Sequence, residues 1–534
     1  MDAVRRQAPA GDRRPAGRQR HQLWRGIPAR AVFVMDTRAN TQPARRSFLS
    51  PAFVREMLAG HSALGLAFAA LIYIVCLSGT VAVFTNELQR WEQPDAPVVA
   101  PGLSIDTITA VVANGHEKAK AEGAAHDLFV IGPSGSSSRL AVYFHDDASG
   151  VEGAWLANTR GELVTPIAAP WSEFVAELHT ALHLPRTWGL LLVGLVGVAL
   201  LSSLISGVLS HPRIFKDAFA LRWGGSRRLR EADLHNRLAV WGLPFHIAVS
   251  LTGALIGLST LIVGVLALAA YDGNSEKAFS TILGPMPQAD DTPAPVPDIA
   301  MMIRHVRTGS PDAEFVTANL QHVATAGQVV HLGMKTQGHL ALSNVYYFDG
   351  AGQPLGDGGL ETGSVGQQIL GALQPVHFGW FGGLPVKLAY GVLGLALSVI
   401  AYNGVTIWLV RRRDKGRAQP GWEKAWSALG WSQPLAFAAT ALASLVAAAP
   451  PLSIYAGTMV AALAYARLAG DASRVGRGLR LATALAMLAA VAAHGVVWGI
   501  RPADPMALGV NAALVAIALI LALPLFRKAP VAPD

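Results

Sequence analysis

The residues with chemistry to offer are histidines set in apolar stretches. Asp233 to Gly253 reads DLHNRLAVWGLPFHIAVSLTG, apolar enough to enter a membrane yet carrying His235 and His246. Eleven positions separate them, about three helical turns, so both lie on one helix face roughly 16 Å apart. An ionisable side chain inside a bilayer is costly and faces the bundle interior. An imidazole there acts as a metal or haem ligand, as a proton relay, or as an interhelical hydrogen-bonding group.

The stretch has an echo. HSALGLAFAALIYIVCLSG places His61 18 positions before Gly79, as His235 lies 18 before Gly253. Both stretches end in a hydroxyl–glycine pair, Ser78-Gly79 and Thr252-Gly253. A second repeat places His179 28 positions before Gly207, and His377 27 before Gly404. Such self-similarity predicts a duplicated architecture. It puts His61 and His235 at one face of the bilayer and His179 and His377 at the other. A bis-histidine haem needs two imidazoles at matched depth, facing each other across the iron. Two such haems across a hydrocarbon core of about 30 Å would form an electron path.

Other histidines fit less well. His246 has no partner in the repeat and reads equally as ligand or packing residue. His183, one turn after His179, is the alternative outer ligand, with His179 preferred. His211, His305, His322, His331 and His339 read as surface residues. Trp188, Trp380 and Phe381 read as an interfacial aromatic belt rather than as the lining of the outer site.

Composition sets the class. Of 534 residues, 52% are hydrophobic and 15% charged, and the mean hydropathy is +0.36. This is a membrane-protein composition. The net charge of +8 comes from basic residues beside the ends of apolar spans, where orientation requires them. With no nucleic-acid motif, no nucleic-acid partner is expected. The single cysteine, Cys76, excludes an intrachain disulfide, a Cys-based zinc site, an iron–sulfur cluster and covalent haem attachment.

Along the chain, residues 1–54 read as a disordered basic cytoplasmic tail, within which Met35 opens a second ordinary-looking amino terminus. Residues 55–85 are a first span. Residues 86–176 form an external α+β domain, with a helix over 104–121 capped by Ser104 or Asp106. Its strands are predicted over 128–131, 140–144 and 154–156, with a turn over 158–162. Residues 177–269 hold the second span, a basic cytoplasmic loop and the third span. Residues 270–376 form a second external domain, with a helix over 297–308 and strands over 315–319, 329–334 and 343–348. Residues 377–413 are the fourth span, ending at Arg411-Arg412-Arg413. Residues 414–432 are a cytoplasmic linker, 433–528 hold spans five to eight, and 529–534 are a tail. The positive-inside rule places the external domains in the periplasm and both termini in the cytoplasm.

The two histidine stretches already quoted, with LHTALHLPRTWGLLLVGLVGVALLSSLISG and VHFGWFGGLPVKLAYGVLGLALSVIAYNG, resemble the four core helices of the PepSY-associated transmembrane family of bacterial inner-membrane proteins. The likeness covers about residues 55–413. It implies two PepSY-like α+β units in the periplasm. For members that are ferric-siderophore reductases, it implies b-type haems in the four-helix core. Carried over, the iron ligands are His61, His235, His179 and His377, with His246 as a further candidate.

The expected fold is an α-helical integral membrane protein: a four-helix haem-binding core, four C-terminal membrane helices and two small periplasmic domains. The expected function is a reductase with two non-covalent b-type haems, passing electrons to a ferric siderophore or other ferric chelate. No G-x-G-x-x-G fingerprint follows a strand, so the donor is external, quinol or a separate flavoprotein. The rival expectation is a non-redox membrane protein that binds a peptide or siderophore, or regulates a periplasmic protease.

Overall fold

The structure is a computed structural model. It describes residues 49–526 except 125, 135–136, 212, 217, 220–225, 448 and 501. Most of the expected N-terminal tail, the last residues and part of the basic loop lie outside the described residues.

The first crossing is a bent pair, α1 (Pro51–Ala67) and α2 (Ala69–Ala82), 70° apart. α3 (Thr85–Glu92) follows, then the first external unit: α4 (Ile105–Glu122), β1 (Asp127–Ile131), β2 (Leu140–Asp146), β3 (Val151–Ala157) and β4 (Leu163–Pro166). A short α5 (Pro170–Ala181) leads into the long apolar α6 (Arg186–Leu209). The second half repeats the plan. α7 (Arg227–Trp241) and α8 (Leu243–Gly257) meet at 73°. α9 (Ser259–Ala270) and α10 (Ser275–Leu283) precede the second unit: α11 (Ile299–Gly309), β5 (Glu314–Gln321), β6 (Val329–Lys335), β7 (Asn344–Asp349) and β8 (Pro354–Asp357). A short α12 (Val365–Phe378) then leads into α13 (Gly383–Asp414). The chain continues as α14 (Pro420–Val446), α15 (Pro451–Leu468), α16 (Ala472–Trp498) and α17 (Pro505–Phe526).

The duplication extends to backbone detail. The breaks at Phe68 (φ −106, ψ 4) and Gly242 (φ −94, ψ 6) each fall seven positions after the inner histidine. The next breaks, at Phe84 (φ −100, ψ 16) and Leu258 (φ −97, ψ 8), each fall sixteen positions further on. At the second bend Pro244 lies in the first turn of α8, where its missing N–H costs nothing but cannot continue α7. No proline marks the bend at Phe68.

Among the described residues five helices are long and apolar enough to cross a membrane, or up to seven if each bent pair is one span. α15, expected as the sixth of eight spans, is not among them. Its 18 residues include Ser453, Tyr455, Thr458 and Arg467.

The external units do not stand apart as two domains. They join in one eight-stranded sheet of order β4-β3-β2-β1-β5-β6-β7-β8. Their first strands pair antiparallel at the centre, with Leu128 opposite Leu320 and Val130 opposite Ala318. Without this pairing β1 and β5 would be long exposed edges. α4 and α11 pack together over a core that includes Ile108, Val130, Met302 and Leu332. Ser104 caps α4 through its side chain. The sequence reading missed β4 and β8, each four residues long, carrying proline and forming the outer edges, which is where short strands and proline belong. α5 and α12 run across the boundaries expected at 176/177 and 376/377.

Candidate functional site

In the membrane half, α1 packs on α6, α2 on α5 and α13, α6 on α8, α7 on α13, and α8 on α12. This arrangement brings together the histidines of the two repeats. His61 and His235 face each other with ring centroids 6.1 Å apart and planes at 77°. His179 and His377 lie 6.0 Å apart with planes at 18°. Two imidazoles bonded to opposite sides of one metal, each nitrogen about 2 Å from it, have centroids about 6 Å apart.

One ring nitrogen of each histidine is already engaged. Nδ1 of His61 lies 2.9 Å from the Ser203 carbonyl, and Nδ1 of His179 lies 2.9 Å from the Val75 carbonyl. Nδ1 of His235 lies 3.1 Å from the Ile400 carbonyl. A carbonyl oxygen only accepts, so in these three rings Nδ1 carries the proton. For His377 the partner is the Thr252 hydroxyl at 3.0 Å. That hydroxyl donates its proton to the Ala248 carbonyl at 2.6 Å, so it accepts from His377. In the neutral form of each ring Nε2 therefore keeps its lone pair, and the Nδ1 bond fixes the tautomer, as such bonds do in metal-ligating histidines.

Glycine makes the approach possible. A Cβ on Gly79 would lie 2.6 Å from Cε1 of His179, and one on Gly253 2.9 Å from Cε1 of His377. Gly207 faces His61 at 3.1 Å and Gly404 faces His235 at 3.8 Å by the same measure. For His61, His179 and His235, the carbonyl that accepts from Nδ1 lies four residues before the facing glycine. A helical side chain covers the turn N-terminal to itself. Its absence uncovers that carbonyl. The His–Gly spacing along each helix thus works crosswise: each histidine meets the glycine of the partner helix.

His61, His235, Gly207, Gly404, His211 and Arg411 line an inner cavity of about 330 Å³. His179, His377, Gly79, Gly253, Phe378 and Tyr390 line an outer one of about 140 Å³. His211, read from sequence as a surface residue, is exposed yet stands at this inner cavity. His246 joins neither pair. It is fully buried, its ring against Gly242. His183 also turns away: it stacks on Phe174 at 4.7 Å and bonds to the Phe174 carbonyl at 3.0 Å. Trp188 and Phe381 are exposed, and neither they nor Trp380 line the outer cavity.

Supporting residues escaped the sequence reading. Glu92, at the end of α3, accepts from the backbone N–H groups of Trp171 at 2.8 Å and Ser172 at 2.9 Å, and from the Ser172 hydroxyl. It caps the helix that carries His179, because Ala169 in the N-cap position has no side-chain acceptor. Glu87 on the same helix pairs with the buried Lys387 of α13 at 2.7 Å. Tyr390 donates to the Val376 carbonyl at 2.6 Å and so fixes the end of α12 beside His377. The C-terminal helices brace α3. His494 stacks on Trp91 at 4.8 Å, and Asp504 binds Arg90 through two bonds of 2.6 and 2.5 Å. The only sequence signal among these was Thr252 of the hydroxyl–glycine pair. Its counterpart Ser78 bonds to its own helix instead.

Comparison with known proteins agrees with this core. An uncharacterized protein of Pseudomonas aeruginosa is 31% identical over 373 residues, which cover 65% of this chain and 92% of that protein. The family model of the PepSY-associated TM region matches residues 58–411. That span runs from α1 through the basic end of α13, takes in both histidine pairs and all four facing glycines, and stops before α14. The chain belongs to the family of the PepSY-associated TM region.

Proposed function

We propose that this protein is a haem b-containing reductase of the bacterial inner membrane. It passes electrons across the bilayer to a periplasmic acceptor, a ferric siderophore or other ferric chelate, and draws them from quinol or a separate flavoprotein. The observation that carries this reading is the two close imidazole pairs, 6.1 and 6.0 Å between ring centroids, with Nδ1 of every ring committed to a protein acceptor.

The ligand count supports haem over a bare ion. Among the described residues no group of three His, Cys, Asp or Glu side chains could hold a metal ion, whereas protein sites for bare ions use three or four ligands. Two imidazoles suit an iron whose remaining positions are filled by a macrocycle. Bound at such a site, haem supplies one-electron chemistry at its iron. The chain's own part is to present His61 and His235 at the inner site, and His179 and His377 at the outer. It also holds each Nδ1 on a protein acceptor and surrounds the rings with apolar helix. The cavity at the outer pair, about 140 Å³, is smaller than most preformed ligand sites.

His61 and Gly79 mark the two sites on one helix pair. Seven helical residues before the 70° bend at Phe68 and eleven after it set them roughly 22 Å apart at about 1.5 Å per residue, most of the way across a hydrocarbon core of about 30 Å. Arg411–Arg413 at the inner end support a cytoplasmic position for that end by the positive-inside rule, with the eight-stranded sheet in the periplasm to meet the acceptor.

The test is the visible spectrum of protein purified from membranes. A Soret band, with reduced bands from two components, is the expected result. A colourless protein that cannot be loaded with haem overturns the proposal and favours the non-redox reading, in which the external sheet binds a peptide or siderophore.

A further inference from the structure

Beside the histidine core, at the same end of the bundle as His61 and His235, lies a second cavity of about 420 Å³. We propose that it binds the phosphate group of an anionic ligand. Its wall is built from both parts of the chain. α7 and α13 supply Arg227, Tyr402 and Arg413, while α14 and α16 supply Trp426, Arg477 and Arg480.

The charge is arranged for an anion. Four arginines face two carboxylates, Glu423 and Asp471, and both carboxylates are engaged. Glu423 takes two hydrogen bonds from Arg413. Asp471 caps α16 by accepting from the Arg474 backbone at 2.9 Å. Arg480 lies over the Trp431 ring at 5.4 Å, and its buried Nε has no hydrogen-bond partner. A buried guanidinium N–H without an acceptor is costly, and a phosphate oxygen would satisfy it. Arg477 stands one turn away on the same helix face. The first turn of α16 also borders the cavity through Ala472 and Ser473, adding the partial positive charge of a helix N-terminus. Tyr402 and Trp426, stacked at 5.5 Å and 14°, give the site an aromatic wall. Arginine clusters between helices at the basic end of a membrane protein suit anionic lipid headgroups. A soluble phosphate compound offers the same chemistry. More than half of the wall belongs to helices beyond the family match, so this site gives α14 and α16 a role that the core alone cannot supply.

The test uses full-length protein in detergent after delipidation. Its thermal unfolding is followed with phosphatidylglycerol, phosphatidylcholine or inorganic phosphate added separately. The expected result is a saturable rise in midpoint with phosphatidylglycerol and none with phosphatidylcholine. In Arg477→Gln/Arg480→Gln the apparent affinity should fall at least roughly tenfold, the loss expected for charge-assisted hydrogen bonds. Arg474→Gln, on the same helix but outside the cavity lining, should keep the full rise. If the double variant melts early without ligand, Arg227→Gln at the rim is used in its place. A rise with inorganic phosphate alone that depends on the same arginines supports the site and makes its ligand soluble. An equal rise with phosphatidylcholine, a rise retained in both arginine variants, or no rise with any additive overturns the proposal.

Discussion

The imidazole of His179 occupies the space that a side chain on Gly79 would need: a Cβ there would lie 2.6 Å from Cε1 of the ring. The four facing glycines form a graded series, with closest approaches of 2.6 Å at Gly79, 2.9 Å at Gly253, 3.1 Å at Gly207 and 3.8 Å at Gly404. Overpacking of this kind costs about 1–3 kcal/mol when neighbours cannot yield. Alanine at Gly79 should therefore displace His179 and empty the outer site. Alanine at Gly404, in ordinary contact distance, should leave His235 and the inner site intact. Haem per protein, measured as the pyridine haemochrome, should fall in the order of those distances. Equal retention in all four variants would show that the glycines serve helix packing alone.

Removing ligands separates the sites. His61→Ala or His235→Ala should abolish the inner haem, and His179→Ala or His377→Ala the outer. Each single variant should then keep roughly half the haem, because on the proposed function each haem would be held by its own pair of histidines. Alanine has the best helix propensity, so these changes should leave the bundle folded. Inner-site variants should leave the outer haem reducible by dithionite but not by the physiological donor. His246→Ala, away from both pairs, should retain both haems. Complete haem loss from that variant alone, with the other four intact, would dismiss the pairing.

The two sites also differ in ring orientation. His61 and His235 are near perpendicular at 77°, while His179 and His377 are near parallel at 18°. Parallel imidazole planes push electron density into the same iron d orbital and split the pair. Perpendicular planes push equally into both. The loaded ferric protein should show two low-spin electron paramagnetic resonance signals. The more axial one should vanish in His61→Ala and the more rhombic one in His179→Ala. A single signal shared by both sites would contradict the ring geometry.

The membrane core was legible because buried imidazoles are costly and stand out in apolar text. The offsets of His61 and His235 from their glycines exposed the duplication. They did not reveal that each glycine serves the partner helix, because spacing along one helix says nothing about its neighbour. The joined sheet was hidden for a similar reason. β1 and β5 pair across nearly two hundred residues, and each alone reads as an ordinary half-buried strand. α5 is cut by the boundary expected at 176/177 because its true end is marked by Leu182 and His183 at positive φ (54° and 53°), positions where glycine is the usual signal. Glu92 gave no warning, since its partner helix begins nearly eighty residues later.

Glu92 also predicts a pH effect at the outer site. Burial raises its carboxyl from the usual range to about 7, against the hydrogen bonds from Ser172 and Trp171 that pull it down. A carboxyl whose pKa rises on folding favours the protonated native state. Its contribution is fully present below the unfolded value near 4.5. It is lost as pH climbs through the window up to about 7, a change on the order of 3 kcal/mol at most. Glu92→Gln lacks this titration and keeps one of the two acceptor oxygens, so it caps α5 through either Trp171 or Ser172 but not both. Measured in detergent from pH 4.5 to 8.5, the melting temperature of the wild type relative to Glu92→Gln should decline up to about pH 7 and level off above it. Because Glu92 caps the helix that carries His179, outer-haem retention in the wild type should decline over the same window while inner-haem retention does not. A wild type that instead gains on the glutamine variant as pH rises would mean that the α5 N-terminus holds the carboxylate ionised, its positive end outweighing burial.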